Sequence, residues 1–415
     1  MNINPLPAIL RGGFLYKSSL RKAEMDGTMA ALLKNLDFIV EFLEEENSKL
    51  FFKKGVNCMF IHYKPWRPDR LNAIVRHART DLLALDVQLG SACNARCPRC
   101  DSSCSIKNKP AALDIEAVSA LAAEINQRRL SLGIPDGNMG FCCGLGEPTF
   151  DVNLTKLKSL IANTAVHDFS WSIFNNGIYW DGELEDFLRQ GYLNVLVQYN
   201  SERPEVVAKM LGVSPTLAAK HMKNRRHLLE IAGEFNRDCA TSIGASIVPE
   251  RDNYDEVVDI VRRCVEHNVF PLVGELENAG YSKDEYYEQH KLTDEELAVL
   301  YRAIERQFGV SYKVPFCPAA IGAININSDN EVTVDSTGLS CGWYGMGDPR
   351  PIVIGDIRKM TYKEIVCAVL DYRAERIPEV RRVISDYPDM VFGGCGGNAR
   401  DLLTAYVSLY DNGVI

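Results

Sequence analysis

The sequence predicts an α/β protein built on a mainly parallel sheet with helices packed outside it. Apolar, strand-like runs alternate with stretches of helical periodicity from about residue 82 onward, and the repeat occurs six times. Polar turns follow several of the runs directly. Alternation of this kind is typical of parallel sheets, whose strands need a crossover connection. The pattern alone does not separate a doubly wound sheet from a barrel.

Each repeat has a predicted strand and most have a predicted helix. The strands are expected at 82–89, 139–144, 169–175, 193–200, 241–248 and 270–277. The helices are expected at 113–125, 154–165, 182–190, 215–234 and 254–267. Asp114 precedes the first helix, and its carboxylate can accept from the free N–H groups of the first turn.

Composition and charge narrow the class of protein. The chain has 415 residues, of which 46% are hydrophobic and 24% charged, as in soluble globular proteins. Its net charge is −9 and it lacks a long basic run, so nucleic acid is not expected as a partner. It has no uninterrupted apolar stretch of membrane-spanning length and no signal-peptide pattern at its start. We therefore expect a cytoplasmic protein that does not bind a membrane.

Three cysteines lie in one loop directly after the first predicted strand. Cys93, Cys97 and Cys100 have the spacing C-x3-C-x2-C, which lets one loop offer three thiolates to one iron–sulfur cluster. Three ligands on a four-iron cluster leave one iron open to another molecule. Zinc sites close to four ligands, often from paired C-x2-C units. A zinc knuckle or three unrelated thiols are the alternatives.

Together with the turn Gly146-Glu147-Pro148, this loop resembles that of the radical S-adenosylmethionine (radical SAM) superfamily. The resemblance implies a partial six-stranded barrel that is open at one side. It also implies a 4Fe–4S cluster whose open iron binds SAM, and an external electron donor such as flavodoxin or ferredoxin. The chain departs from the family at Arg99, where an aromatic residue is usual near the adenine, and at Leu145, which replaces a glycine.

The resemblance also implies which other residues lie at the site. The turn after the second strand and polar residues at later strand ends are expected to bind SAM: Gly146, Glu147, Pro148, Asn175, Gln198, Asn200 and Ser246. Glu275 and Glu277, on the last predicted strand, are candidates for substrate binding or proton transfer. Polar residues at strand ends otherwise cap turns. Cys104 is expected to be structural, because a fourth thiolate would block the SAM site.

The C-terminal part of the chain resembles the SPASM and twitch extensions of radical SAM enzymes. Cys317 precedes a predicted hairpin, Cys341 follows it, and Cys395 begins a C-x-G motif further on. The fit is partial, because the second cysteine would be expected near Asp335. We expect one auxiliary 4Fe–4S cluster on these cysteines. Asp335, another cysteine or a substrate atom would be its fourth ligand, and a structural zinc or buried thiols are the alternatives.

These observations predict four regions and rank three functions. The regions are a helical N-terminal extension (1–80), the barrel (81–290), a helical bridge (291–312) and an α+β iron–sulfur domain (313–415). The first function is abstraction of hydrogen from a small molecule, such as a sugar, nucleoside or amino-acid derivative, in a biosynthetic pathway. The second is modification of a peptide or protein, and the third a non-catalytic electron carrier or sensor. The reaction could be that of an oxidoreductase, lyase or epimerase.

Overall fold

A computed structural model of the protein describes most of the predicted barrel and parts of the C-terminal region. The described residues are 62–66, 73–74, 76–107, 112–134, 138–142, 146–236, 240–276, 280–308, 322–333, 352–386, 407 and 411. The predicted N-terminal extension lies almost wholly outside these ranges.

Nine strands in the described ranges form one sheet, and two short strands form another. In chain order the strands are β1 (His62–Tyr63), β2 (Ala84–Val87), β3 (Asn138–Cys142), β4 (Phe169–Asn175), β5 (Leu193–Gln198), β6 (Ala240–Thr241), β7 (Ile243–Ile247), β8 (Phe270–Val273), β9 (Ala323–Ile326), β10 (Glu331–Thr333) and β11 (Val353–Asp356). The large sheet has the order β11-β10-β9-β2-β3-β4-β5-β7-β8, and β1 pairs with β6.

The strand order decides between the two architectures that the sequence left open. From β2 to β8 each strand of the large sheet lies beside the next one in the chain, and all these pairs are parallel. A doubly wound sheet reverses its order at a switch point, whereas a barrel does not. The six predicted strands therefore form a partial barrel. In the described ranges the sheet ends at β8 on one side and continues past β2 through β9 and β10 to β11 on the other.

The helices of the described chain connect these strands or follow them. They are α1 (Ile115–Ser131), α2 (Asp151–Ala165), α3 (Gly182–Gln190), α4 (Pro204–Leu211), α5 (Pro215–Ile231), α6 (Val257–Glu266), α7 (Glu285–His290), α8 (Asp294–Phe308) and α9 (Tyr362–Asp386). The predicted cap of α1 is confirmed, since the Asp114 side chain accepts from Ala117 N. None of the helices in the described ranges is both long and apolar enough to cross a membrane.

Strand register shows which side chains face the barrel interior. Trp171 on β4 faces the helices, because its indole N–H donates to Thr164 Oγ1 on α2 at 2.9 Å. Successive side chains of a strand alternate between faces, so Ser172 faces inward. Asp86, Phe141 and Asn194 share its register row across β2, β3 and β5 and face inward with it.

The described C-terminal segment extends the barrel sheet. Strand β9 pairs in parallel with β2, and β9, β10 and β11 form an antiparallel meander. The Asn330 side chain, at the turn between β9 and β10, accepts from Asp114 N and donates to Ala112 O at the start of α1. These contacts fix the meander against the first repeat of the barrel. The division of the chain into four regions stays a prediction.

Candidate functional site

The cysteine loop after β2 is held by one backbone hydrogen bond within the loop and by others to two distant segments of the chain. Cys100 N donates to Cys97 O at 3.1 Å within the loop. Arg96 N donates to Leu211 O, at the end of α4, and Tyr281 N donates to Cys100 O at 2.7 Å. The backbone that carries the three thiols is therefore fixed on both sides by other parts of the chain.

The three thiols differ in acidity. Burial, followed by the negative charge of Glu147, raises the pKa of Cys93 to about 12, and burial raises that of Cys97 to about 12. A hydrogen bond from Cys104 lowers the pKa of Cys100 to about 7. Metal ligands are thiolates, so a positively charged metal core would relieve the cost that burial places on Cys93 and Cys97.

Amide groups lie next to two of the three cysteine sulfurs. Ala95 N donates to Cys93 Sγ and Cys104 N donates to Cys100 Sγ, both at 3.4 Å, and Asn176 Nδ2 lies 3.9 Å from Cys93 Sγ. N–H groups next to ligand sulfurs orient them and tune the reduction potential of an iron–sulfur cluster. Donors of this kind suit thiolate ligands.

The turn after β3 packs directly on the cysteine loop. Gly146 has a φ of +76°, and a Cβ there would lie 2.7 Å from Ala92 O and closer still to Gly90 O. Glu147 N also donates to Ala92 O at 2.9 Å. Only glycine permits this combination of left-handed backbone and close approach. The two motifs that carry the family resemblance are thus in contact.

Asn153, in the first turn of α2, holds these two segments together. Its side-chain Nδ2 lies within hydrogen-bonding distance of Gly90 O, Ala92 O and Glu147 O, at 3.2, 3.1 and 3.1 Å. The residue is completely buried. This role was not predicted from the sequence, because a single asparagine near the start of a helix usually indicates a helix cap. No motif shows that it bonds two segments that are distant in the chain.

The Glu147 carboxylate is buried and serves as an internal acceptor. It accepts from Thr149 N, from Thr149 Oγ1 at 2.7 Å and from Asn176 N at 2.8 Å. Burial raises its pKa to about 7 in spite of these three donors. Glu147 therefore joins the turn after β3 to the turn after β4, and its predicted contact with SAM stays a prediction, as does that of Pro148.

The turn Asn175-Asn176-Gly177 places its two asparagines differently. Asn175 shares the helix-facing side of β4 with Trp171, and its side chain donates to Thr149 Oγ1 at 3.0 Å and accepts from Gly177 N. Asn176 Nδ2 donates to Asn94 Oδ1, in the cysteine loop, at 2.6 Å. Asn175 is thus bonded to protein groups, and its predicted role in SAM binding stays a prediction.

A buried histidine lies under this turn and was not singled out from the sequence. His221 Nδ1, on α5, donates to Asn176 O at 2.5 Å, and a Cβ on Gly177 would lie 2.6 Å from the same nitrogen. Burial lowers the pKa of His221 to about 3, so the imidazole is neutral. A carbonyl only accepts, which assigns the hydrogen to Nδ1.

Of the remaining predicted SAM ligands, two face the barrel interior. Gln198 and Ser246 are register partners on β5 and β7, on the side opposite the helices. Gln198 Oε1 is buried and has no hydrogen-bond partner among the described residues, which leaves it able to accept from a ligand. Asn200 is also buried, but its Oδ1 accepts from Val248 N at 2.9 Å.

The predicted catalytic glutamates are placed only in part. Glu275 accepts from Tyr301 OH, on α8, at 3.4 Å. Glu277 lies outside the described residues, as do Cys317, Cys341 and Cys395. A carboxylate that was not predicted, Glu250, is fully buried beyond the end of β7. Tyr286 OH donates to it, and burial raises its pKa although the positive charge of Arg99 acts against the shift.

The cysteine loop offers groups that could hold a 4Fe–4S cluster. Three half-buried thiols, amide donors at two of them and a glycine turn at their base suit a cluster with one open iron. In the ranges described, no group of three or more His, Cys, Asp and Glu side chains is placed to hold a single metal ion. A four-iron cluster is larger than one ion, so its ligand sulfurs stand further apart.

Comparison with known proteins gives structural neighbours only. No family model and no curated protein matches the chain. The structure of anSMEcpe with bound AdoMet (SAM) has a TM-score of 0.50 at 13% identity, over 79% of this chain and 96% of that one. Streptococcus suis SuiB with S-adenosylmethionine has 0.48 at 14%, over 71% and 68%. HydG, a maturase of the [FeFe]-hydrogenase, has 0.39 at 11%, over 94% and 91%.

These neighbours are radical SAM enzymes, and at such low identity the likeness concerns the fold. The chain has the partial barrel of that class, as the sequence predicted. Its cysteine loop lies where the carboxyl ends of the barrel strands meet, the end at which barrels of this kind bind ligands.

Proposed function

We propose that the protein is a radical SAM enzyme. The observation that carries the proposal is the contact between the cysteine loop and the Gly146 turn, at the carboxyl ends of the strands of a radical SAM fold. Cys93, Cys97 and Cys100 would hold a 4Fe–4S cluster there. When bound and reduced, the cluster supplies the electron that cleaves SAM to a 5'-deoxyadenosyl radical.

The residues of the chain would position the cofactors and keep the site rigid. The cysteine loop offers three thiolates and leaves the fourth position for SAM. Asn153 and Glu147 fix the turn at the base of the cysteine loop, and Asn176 links the loop itself to the end of β4. Because these groups are buried and bonded before any ligand arrives, little reorganisation is needed on binding.

The polar interior of the barrel would receive the substrate. Asp86, Ser172 and Asn194 share a row on the inner face, and the Ser172 hydroxyl bonds Tyr63 OH at 2.6 Å. All three are buried. Phe141 stands between Asp86 and Ser172 in the same row, so this part of the inner face is a mixed lining that would offer a substrate both apolar contact and hydrogen bonds.

We propose further that the substrate is a peptide. The neighbour with a TM-score of 0.50, anSMEcpe, has also been determined with AdoMet and the Kp18Cys peptide. This supports the peptide alternative over the small molecule that the sequence analysis placed first. An auxiliary cluster on Cys317, Cys341 and Cys395 belongs to the same proposal, and it would take an electron from the substrate radical or bind the substrate.

The test is anaerobic turnover with SAM, dithionite and candidate peptides. We expect 5'-deoxyadenosine from the reconstituted protein, and deuterium in that product when a peptide labelled at the attacked carbon is used. The Cys97→Ala variant should produce none, whereas Cys367→Ala, at an exposed position on α9, should match the wild type. No 5'-deoxyadenosine from the wild type would contradict the enzyme proposal. Turnover of small metabolites without turnover of any peptide would contradict the proposal that the substrate is a peptide.

A further inference from the structure

A tyrosine from the chain before the barrel lies inside the barrel. Tyr63, on β1, is completely buried, and its hydroxyl forms a hydrogen bond with the Ser172 hydroxyl at 2.6 Å. Its ring also stacks on that of Phe270, with the ring centroids 5.9 Å apart. Ser172 faces the barrel interior. Phe270 faces it too, because its register partner Gly244 is two residues from the inward-facing Ser246 on β7.

The Tyr63 side chain spans the interior and does not simply line one wall. Ser172 belongs to β4 and Phe270 to β8, and two strands, β5 and β7, separate β4 from β8 in the sheet. Neighbouring strands lie about 4.8 Å apart, so β4 and β8 are about 14 Å apart along the sheet. One tyrosine contacts both strands only because the sheet curves around it.

Tyr63 enters the barrel from its amino-terminal end. Strand β1 pairs in parallel with β6, which leads directly into the start of β7, and Phe270 is the first residue of β8. Ser172 is the fourth of the seven residues of β4, whose last residue, Asn175, begins the turn beside the cysteine loop. Three residues of strand, or about 10 Å, therefore separate the level of the tyrosine hydroxyl from that turn.

We propose that Tyr63 forms the floor of the substrate cavity and closes the amino-terminal end of the barrel. The inference rests on the proposed function, because it concerns the space below the cysteine loop that a substrate would enter. With this end closed, substrate and solutes reach the interior only from the end that carries the cysteine loop. The depth of about 10 Å above the tyrosine limits how far a side chain of a peptide can enter. Tyr63 is thus a positioning residue, which sizes the cavity and keeps solvent out of it.

The experiment places a reporter thiol on the inner face of the barrel. Asn194→Cys puts a cysteine on β5 in the row of Ser172, at a position that is 1% exposed. Iodoacetamide is added to the folded, full-length protein, and alkylation of the reporter is followed by mass spectrometry of the peptide that contains it. Cys264, which is completely buried on α6, is measured in the same digest and reports global unfolding.

Two variants with similar losses of packing are compared in this reporter background. Tyr63→Ala removes the proposed floor. Phe169→Ala removes a buried ring from the helix-facing side of β4, where Phe169 packs against Trp171. Both variants lose one buried aromatic side chain, so their free energies of unfolding should fall by similar amounts, which urea unfolding checks. If either alanine variant does not fold, Tyr63→Leu and Phe169→Leu replace the pair.

Alkylation of the reporter should be roughly tenfold faster in the Tyr63 variant than in the Phe169 variant, with Cys264 equally slow in both. Tyr63→Phe keeps the ring and should protect the reporter as well as the parent does. Equal reporter rates in the Tyr63 and Phe169 variants would overturn the proposal, as would rapid alkylation of the reporter in the parent. Because the measurement needs no turnover, it is independent of the proposed function, which a wild type that forms no 5'-deoxyadenosine would refute instead.

Discussion

Replacement of Gly146 by alanine should lower both the stability of the protein and its iron content, because Gly146 packs against the segment that leads into the cysteine loop. The residue has a φ of +76°, and its Cβ would lie 2.7 Å from Ala92 O and closer to Gly90 O. Both obstacles are backbone atoms, and both belong to the segment that leads into Cys93. That segment cannot move aside without displacing the first ligand.

The loss in free energy of unfolding has two parts, backbone strain and steric overlap, and a matched glycine variant separates them. The left-handed backbone costs a residue with a Cβ about 1–2 kcal/mol. Steric overlap in a packed region adds about 1–3 kcal/mol. Gly191 has a similar φ of +86° but nothing within 4 Å of its Cβ position. Gly191→Ala should therefore lose only the first part, and Gly146→Ala about 2–5 kcal/mol in total.

Urea unfolding of the two variants measures this difference, and iron content after reconstitution measures its consequence. We expect Gly146→Ala to be the less stable variant and to bind less iron per chain, while Gly191→Ala binds as much as the wild type. Equal stability losses, or normal iron binding by Gly146→Ala, would refute the argument that the turn supports the cysteine loop.

Two further predictions concern the groups behind the site. Asn176→Ala removes the amide beside Cys93 Sγ, so reduction of the cluster should need a more negative potential; an unchanged midpoint in an EPR-monitored redox titration would contradict this. His221 has a pKa of about 3 when folded and an ordinary value of about 6.5 when unfolded. As the pH falls, this histidine is therefore protonated in the unfolded chain before it is protonated in the folded one, which favours unfolding. Lowering the pH from about 7 to about 5 should reduce the free energy of unfolding by about 2 kcal/mol. His221→Asn keeps a donor to Asn176 O and should lose less over that range in urea unfolding, whereas an equal loss would contradict the assignment.

The six strands were predictable from the sequence, but their faces were not. Both faces of a covered parallel sheet are buried, so its strands lack the alternation that marks an exposed face. Asn175 illustrates the consequence. It ends a strand as the sequence indicates, but register places it beside Trp171 on the helix side, where Thr149 binds its amide.

The position of the candidate site was predictable from the sequence, whereas the buried side chains that hold its loop were not. The spacing of the three cysteines and their position after β2 indicate a cluster loop without any structure. Asn153, His221 and Glu250 act across long sequence separations and have no motif of their own. Likewise, the pairing of β9 with β2 joins segments far apart in the chain, and periodicity carries no information about such pairs.

The most direct test of the central claim is the electron paramagnetic resonance spectrum of the reduced, reconstituted protein with and without SAM. An open iron at the loop of Cys93, Cys97 and Cys100 predicts a 4Fe–4S signal that changes when SAM is added and is missing from a variant with these three residues replaced by alanine. A signal that SAM leaves unchanged, or one that survives the triple replacement in full, would contradict the account.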